Sequence, residues 1–381
     1  PKRSISYDKG IEAIKNGDDN DYPERVERLI DHSITAKQCR KLFRQYLTGK
    51  GFEGINKIKV NDDGTSLLAF VSRFNQEYAT HGGVFVHVMH NTAGEPVSFS
   101  VIPYHKIRKG KKDSKEYSGK YAKLDDWTDG NKKDVVWFNA FSSDPEIVQK
   151  NIANAGSIEK YKGQIYFFNP SNVDYPLAHI HPVMNDTDSE FRAGVFKNKS
   201  LRKGFFGKNI LVTPPRIDPQ LTSVDPKNLS DEERLNLKHQ EEEAETVTDT
   251  LKSFVGVENS EGFMSLEMEM DGDDIDKAIK HIKIDTDIDD KLFQYTEDST
   301  SNNIRKAYNN VPTILVDSSD HSIFGNSGEA ILQAKRFYHE QTQEERMLIE
   351  QGLKKLFRNF KPLKDQVLTI KPLIDGIDNA Q

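Results

Sequence analysis

The chain has 381 residues, 53 of them basic and 60 acidic, for a net charge of -7, and this acid surplus argues against a dedicated nucleic-acid binder without excluding a surface past which nucleic acid slides. Hydrophobic residues make up only 35% against 30% charged, with mean hydropathy -0.70, so the core is modest for a length that holds two or three domains. One cysteine, Cys39, excludes an intrachain disulfide or a cysteine zinc cluster, and no apolar run spans a bilayer and no secretory leader is present, which fits a reducing cytoplasm.

Such a composition fits an elongated subunit that buries area against its own copies, and equally a loop-rich soluble protein. The first twenty residues are polar and aspartate-rich and read as a loose arm. Pro23 at a first helical position opens a helix through Val26, Leu29 and Ile30. Thr35 is the expected cap of the next, whose stripe Ala36, Cys39, Leu42, Phe43 and Tyr46 marks Cys39 as packed rather than reactive, and Gly49 ends it. Thr65 is the expected cap of a third, with Leu67, Leu68, Val71, Phe74 and Tyr78 on one face and Gly82-Gly83 as its stop.

The period then changes to that of a strand. Residues 84–89 and 97–101 flank the turn Asn91-Thr92-Ala93-Gly94 and predict a β-hairpin. The basic run from Arg108 to Lys112 reads as an exposed loop, and short strands follow at 135–138 and 164–168. Residues 186–208 set Phe191, Val195, Phe196, Leu201, Phe205 and Phe206 among Lys197, Lys199, Arg202, Lys203 and Lys208, a basic amphipathic helix. After a strand at 210–213 and the proline-rich connection 214–228, Ser230 caps an acidic helix predicted from Asp231 to about Phe254. Residues 263–270 alternate apolar and acidic, as a strand with one wet face does.

Asp289 is placed to cap a long helix carrying Leu292, Tyr295, Ile304, Ala307 and Tyr308, interrupted by Thr296, Ser299, Thr300 and Ser301. That helix meets neighbours through small polar residues and should stop at Asn309-Asn310-Val311-Pro312. Ser327–Glu340 then puts Ile331, Ala334, Phe337 and Tyr338 on one face. Thr342-Gln343-Glu344-Glu345 spells a capping box for a last helix burying Met347, Leu348, Leu353, Leu356, Phe357 and Phe360.

Four patterns resemble chemical motifs. Asp285-Thr286-Asp287-Ile288-Asp289 opens like a calcium loop, but Asp290 stands where glycine is needed and Thr296 where a bidentate glutamate is needed. His179-Ile180-His181 offers two imidazoles without a third ligand at recognisable spacing, which favours a structural role over a metal pair. Gly49-Lys50-Gly51 follows a helix and lacks the rest of a phosphate loop, and Gly325-Asn326-Ser327-Gly328 lacks the spacing of a nucleophile elbow. An enzyme reading therefore rests on scattered carboxylates: a metal-dependent nuclease using Asp271, Asp273, Asp274 and Asp276 within the Asp-rich stretch 271–290.

Several stretches in this order resemble the portal proteins of tailed bacteriophages, in particular portal-like proteins of phages and prophages of the Bacteroidota. They are YPERVERLIDHSITAKQCRKLFRQYLTGKGF (22–52), TSLLAFVSRFNQEYATHGGVFVHVMHNTAGEPVSFSVIPYHKIR (65–108), YKGQIYFFNP (161–170) and FRAGVFKNKSLRKGFFGKNILVTPP (191–215). DDKLFQYTEDSTSNNIRKAYNNVPTILVD (289–317) and GNSGEAILQAKRFYHEQTQEERMLIEQGLKKLF (325–357) complete them, and the helix–Val-Pro–helix passage is the most specific part.

The resemblance implies an α+β subunit with wing, helical stem, clip and crown, twelve copies of which commonly form a ring at one capsid vertex. The wing would be 1–183, the first stem helix 184–207, the clip 208–280 and the second stem helix 281–310; 311–328 would be the tunnel-loop region and 329–381 the wing and crown helices with tail. Little crown is left, and a chain that starts at Pro1 and ends in IDGIDNAQ has the pattern of an excerpt. Double-stranded DNA would pass through the channel non-specifically during packaging and ejection, with terminase, the major capsid protein and connector or adaptor proteins as partners. The location would be the virion, after assembly in the host bacterial cytoplasm. No enzyme activity, cofactor, metal or membrane is implied.

Channel or inter-subunit candidates are Lys197, Lys199, Arg202, Lys203, Lys208, Lys291 and Arg305. Tunnel-loop candidates are Asp317, Ser318, Ser319, Asp320, His321, Gly325 and Asn326. Another head-to-tail connector ring is the alternative within assembly proteins. Such a ring would usually be shorter and lack the long helix after an α+β body.

Overall fold

The computed structural model describes residues 10–128, 134–171, 173–202, 209–213, 230–239, 263–267, 280–283, 290–316 and 328–373. The chain divides into two compact units: Pro1–Asp188 with Thr300–Gln381, and Ser189–Ser299.

The first unit begins with α1 (Tyr22–His32), which buries Val26 and Ile30 behind its early proline. Only Ser33 separates it from α2 (Ile34–Thr48), and Ser33 Oγ accepts from Ala36 N at 2.9 Å. The cap is therefore Ser33, because at so tight a corner Thr35 already lies inside the helix. Ser66, and not Thr65, caps α3 (Leu67–His81), accepting from Ala69 N at 3.3 Å. Thr65 is tied backwards, its N–H donating to Asn61 Oδ1 at 2.8 Å. Cys39 is buried on α2.

The hairpin forms as β1 (Val84–His90) and β2 (Pro96–Ile102). With β3 (Ile107–Lys109), β4 (Lys120–Lys123), β5 (Val136–Ala140) and β6 (Gln164–Phe168) it makes one sheet in the order β2-β1-β6-β5-β4-β3. The pairings are antiparallel except β5 with β6, which are parallel and joined through α4 (Pro145–Ala155).

Two expectations fail at β3. Arg108 starts no exposed loop: it sits in a strand and is 0% exposed. The early arm is not loose over its described part, since Ala13 bridges to Gly110 and Ala13, Ile14, Asn16 and Asn20 are buried. The two errors share a cause. Arg108 Nε donates to Asn20 Oδ1 and its Nη2 to Asn20 O, both at 2.6 Å, so the charge of one segment is satisfied by the polarity of the other.

One core joins α1–α3 and strands of the sheet to the end of the chain. There α9 (Gly328–Gln341) and α10 (Gln343–Leu356) contribute Tyr338, Ile349, Leu353 and Leu356, and Phe357 and Phe360 follow. Phe357 meets Phe70 and Phe99 with ring centroids 5.6 and 4.8 Å apart, edge to face. Gly352 lets α10 approach β6: a Cβ there would lie 2.5 Å from the Phe168 ring, and Tyr166 Oη donates to Gly352 O at 3.0 Å. A smaller core of Ile14, Phe85, Tyr104, Ile107, Phe138, Ile165 and Tyr175 includes the Phe85–Phe167 stack at 4.2 Å. The fold class is α+β, as expected.

Two details of the last helices differ from expectation. Thr342 forms no capping box: its hydroxyl donates back to Tyr338 O at 3.0 Å and accepts from Arg346 Nη1, and no helix N–H donates to it. Phe337 and Met347 are exposed, because the buried stripe runs through Tyr338 and His339 on α9 and Arg346, Ile349 and Leu353 on α10.

In the second unit, the strands β7 (Asn209–Thr213), β8 (Phe263–Glu267) and β9 (Lys280–Lys283) form a sheet in the order β8-β7-β9. β7 is parallel to β8 and antiparallel to β9. The helix capped by Ser230, α6, is seen over 231–239; Ser230 N and Oγ both donate to Glu233 Oε2, at 2.8 and 2.6 Å. The rest of that predicted helix lies outside the described residues.

Candidate functional site

Two helices link the units in sequence: α5 (Met184–Arg202) and α7 (Asp290–Ala307). Both carry small polar residues where a globular core would have aliphatic ones. Thr187 on α5 is 0% exposed with its hydroxyl on Val183 O at 2.9 Å, and Thr300 on α7 is 4% exposed. Within the first unit Asn303 Nδ2 donates to Asp186 Oδ2 at 3.5 Å, a long contact. Within the second, Lys197 Nζ forms an ion pair with Glu297, and both side chains are about half exposed, 44% and 47%. Lys197 is thus held by a carboxylate while still reaching solvent.

Arg305 does a different job. Its guanidinium donates to Asn302 and to Thr313 Oγ1, across the break that follows α7. That break is a double left-handed step, with φ of 59° at Asn309 and 55° at Asn310, which asparagine tolerates better than most side chains. Val311 N bonds Arg305 O at 3.1 Å, and Asn309 Nδ2 donates to Gln341 O at 3.0 Å and to Glu345 Oε1 at 2.5 Å. Beneath it Tyr308 is fully buried against Phe43, and Tyr338 Oη donates to Tyr308 O at 2.9 Å. The helix stop at Val311-Pro312 is consequently a seated corner, followed by the short α8 (Thr313–Val316).

Lys199, Arg202 and Lys291 belong to these helices, but their side chains lie outside the described residues. Lys203, Lys208, Asp317, Ser318, Ser319, Asp320, His321, Gly325 and Asn326 lie wholly outside them, as do the Asp-rich stretch 271–276, the calcium-like run 285–289 and the cap Asp289.

A cluster of titratable groups without any local sequence cue joins α1, α3 and the turn before β3. Glu27 Oε1 is 3.0 Å from His81 Nε2 and 3.0 Å from His105 Nδ1. Burial alone would raise the Glu27 carboxyl, but hydrogen bonds from His105 and His81 outweigh it and bring it down to about 2. The bond to Glu27 raises His105 in return. Glu77 and Glu24 are raised by burial, and Glu77 Oε2 accepts from Tyr104 N at 2.9 Å. His81 stacks on Tyr104 at 4.6 Å. Residues 27, 81 and 105 are far apart in sequence, so no local spacing announced them. Their partners are one another and the backbone, which makes the cluster a staple between elements.

The His179/His181 pair separates. His181 Nδ1 lies 3.1 Å from Tyr22 Oη, whereas His179 packs on Phe43 and Tyr78 at 5.0 and 5.5 Å and burial lowers it to about 4. Among the described residues no group of three or more His, Cys, Asp or Glu is placed to hold a metal, and no helix is long and apolar enough to cross a membrane.

No family model matches the chain, and no curated protein matches it. Among solved structures it is similar to a chain in the virion of a native gene transfer agent (GTA) particle, with 11% identity, 94% of this chain and 85% of that one covered, and a TM-score of 0.48. It is also similar to a chain in the neck of the native GTA particle computed with C12 symmetry, with the same identity and coverage and a TM-score of 0.49. A chain in the neck of the empty particle computed with C6 symmetry gives 11% identity, coverage of 92% and 85%, and a TM-score of 0.47.

Proposed function

We propose that the chain is a portal subunit of a tailed-phage capsid: one member of a homo-oligomeric ring, twelvefold in the commonest case, through which double-stranded DNA is packaged and ejected. The observation that carries this reading is the way the chain is interrupted. A compact unit of its own, Ser189–Ser299, is inserted into the α+β body and is entered along α5 and left along α7. That order matches the wing, stem, clip and second stem implied by the resemblance. In this reading α5 and α7 are the stem, the three-stranded unit is the clip and 317–328 is the tunnel loop.

Electrostatics supports a conduit over a binder. Residues 189–299 hold 25 acidic and 15 basic side chains, so the remaining 270 residues hold 35 acidic and 38 basic. An acidic lining with sparse cations contacts a moving polyanion weakly, because each neutralised phosphate adds affinity and salt dependence. Lys197, Lys199, Arg202, Lys203, Lys208 and Lys291 supply those cations or pair with acids of a neighbouring copy. Arg305 braces the corner after the second stem helix. Terminase, the major capsid protein and connector proteins are the partners such a ring meets, and the virion is its place.

The test is charge reversal of Lys197, Lys199, Arg202 and Lys203 together, followed by imaging of ring assembly and measurement of DNA retention in packaged particles. Altered retention or assembly is expected. Unchanged rings with unchanged retention would contradict the role given to these residues.

A further inference from the structure

A cleft of about 530 Å³ opens in the α+β body where its sheet is incomplete. β5 pairs with β6 only at Asn139 and Ala140, and Trp137 and Phe138, which have no β6 partner, line the cleft beside the loop that leads into β6. Lys120 and Asn139, cross-strand partners on β4 and β5, belong to its wall. Asn151 and Asn154, three apart and so on one face of α4, line another side, and Lys160 and Lys162 come from the loop. Tyr161 between them is buried while both lysines are exposed. Among the described residues no carboxylate lines the cleft, and none of its three lysines makes an ion pair. Glu159, next to Lys160 in sequence, is exposed and lies outside the lining.

The loop holding two of these lysines is fixed before any ligand arrives. Lys162 O accepts from His87 Nε2 at 2.7 Å. Gly163 has φ +82°, and a Cβ there would lie 2.6 Å from both His87 Nε2 and Val88 O, so the loop is pressed onto β1. Binding there orders little backbone that is not already ordered. The last turn of α4 meets the cleft, and the carbonyl end of a helix is worth about half a negative charge, so most of the positive charge stays unanswered.

Donors and charge select the ligand. Lys120, Lys160, Lys162, Asn139, Asn151 and Asn154 all carry N–H donors, and the lysines carry no acceptor. What answers them has many acceptor oxygens, few donors and more than one negative charge. A chain of phosphates has all three, and lysine serves phosphate as a point charge. A lone carboxylate would leave most of the positive charge unpaired. The volume is that of a small-molecule site. A single-stranded nucleic acid would need a free aromatic face, and Trp137 already stacks on Tyr117 at 4.1 Å.

We infer that this cleft binds a small oligophosphate anion, a phosphate chain that is either free or carried on a nucleoside. The inference does not need the ring reading, and its failure leaves that reading standing. The test is calorimetric titration of the full-length chain with inorganic tripolyphosphate at about 0.15 M salt, where long-range attraction is screened. Saturation at one site per chain is expected. Lys160→Gln/Lys162→Gln should weaken binding at least tenfold. Asn151→Asp/Asn154→Asp, which keeps the lysines and adds repelling charge, should do the same. Lys57→Gln/Lys59→Gln, which removes exposed charges elsewhere in the body, should leave binding unchanged. Melts without ligand check that each variant is folded, and the two cleft variants test the site independently. Adenosine triphosphate that binds more tightly than tripolyphosphate, with the same losses in the cleft variants, supports the site with a nucleoside-borne chain. Equal or weaker binding with those losses supports it with the free chain. No saturation below about 1 mM overturns the inference, as does an equal loss in the Lys57/Lys59 variant. Citrate that binds as tightly as tripolyphosphate overturns it in favour of carboxylates. A short DNA duplex that displaces tripolyphosphate at a lower phosphate concentration overturns it in favour of nucleic acid.

Discussion

The α+β body buries some of its charge, whereas the charged side chains described in the inserted unit stay in reach of water. In the body Arg108 is wholly buried and makes hydrogen bonds to Asn20, His105 O and Ile107 O, and Glu27 is shared by two histidines. In the insertion the described ion pair between the helices, Lys197–Glu297, is about half open to water. Buried charge is costly to remove or disturb, whereas exposed charge contributes little to folding and is free to act on partners. Disturbing charge should therefore cost folding most at the body's buried groups, while the insertion carries a surplus of ten acids over its bases.

The sharpest way to break that contrast is at Arg108. Arg108→Ala should cost about 3–5 kcal/mol in denaturant unfolding, since it leaves buried acceptors unpaired. A loss below about 1 kcal/mol would show that water replaces the guanidinium. Gly352→Ala should cost about 1–3 kcal/mol, because the new Cβ meets the Phe168 ring at 2.5 Å and that ring is buried in the main core.

Acid should act on the body next. Burial lowers His90, His179 and His339 to about 4, so between roughly pH 6.5 and 4 the unfolded chain binds protons that the fold does not. Stability then falls as pH drops through that window. His105 opposes this: its raised folded value makes its contribution complete below about pH 6.5 and lost as pH rises through the folded value. His87 is lowered as well, while the raised Glu24 and Glu77 side with His105. The large drops at His90, His179 and His339 still predict a net loss on acidification, by roughly 1–3 kcal/mol. Glu27, held at about 2, adds a further loss as pH falls below about 4.5. Thermal melts from pH 7 to 4 that move upward would refute the assignment. The smallest effect belongs to the insertion. Lys197→Ala should change unfolding by less than about 1 kcal/mol.

Much of this architecture could be read from periodicity. The stripes of α1–α3, the β1–β2 hairpin, the strands at 136–140 and 164–168 and the stop at Val311-Pro312 all follow from local pattern. Part of what escaped is decided by distant partners: Arg108 reads as solvated because its acceptors at Asn20 lie 88 residues away. The Thr342 capping box fails for a local reason that the box spacing does not weigh, since Tyr338 and Arg346, four residues to either side, engage the hydroxyl. Ser33 and Ser66 hold the caps that local pattern assigns to threonines one or two positions off, where sequence cannot tell a last loop residue from a first helical one. Of the candidate site residues, Lys197 and Arg305 have described side chains, and these make unlike contacts, one between helices and one across a corner.

The most direct measurement on the central claim is the native mass of the purified full-length chain, taken with images of the same particles. A ring of about twelve 43.4 kDa copies around a hole wide enough for duplex DNA is the predicted result. A single 43.4 kDa species at micromolar concentration, or a closed assembly without a hole, would contradict it.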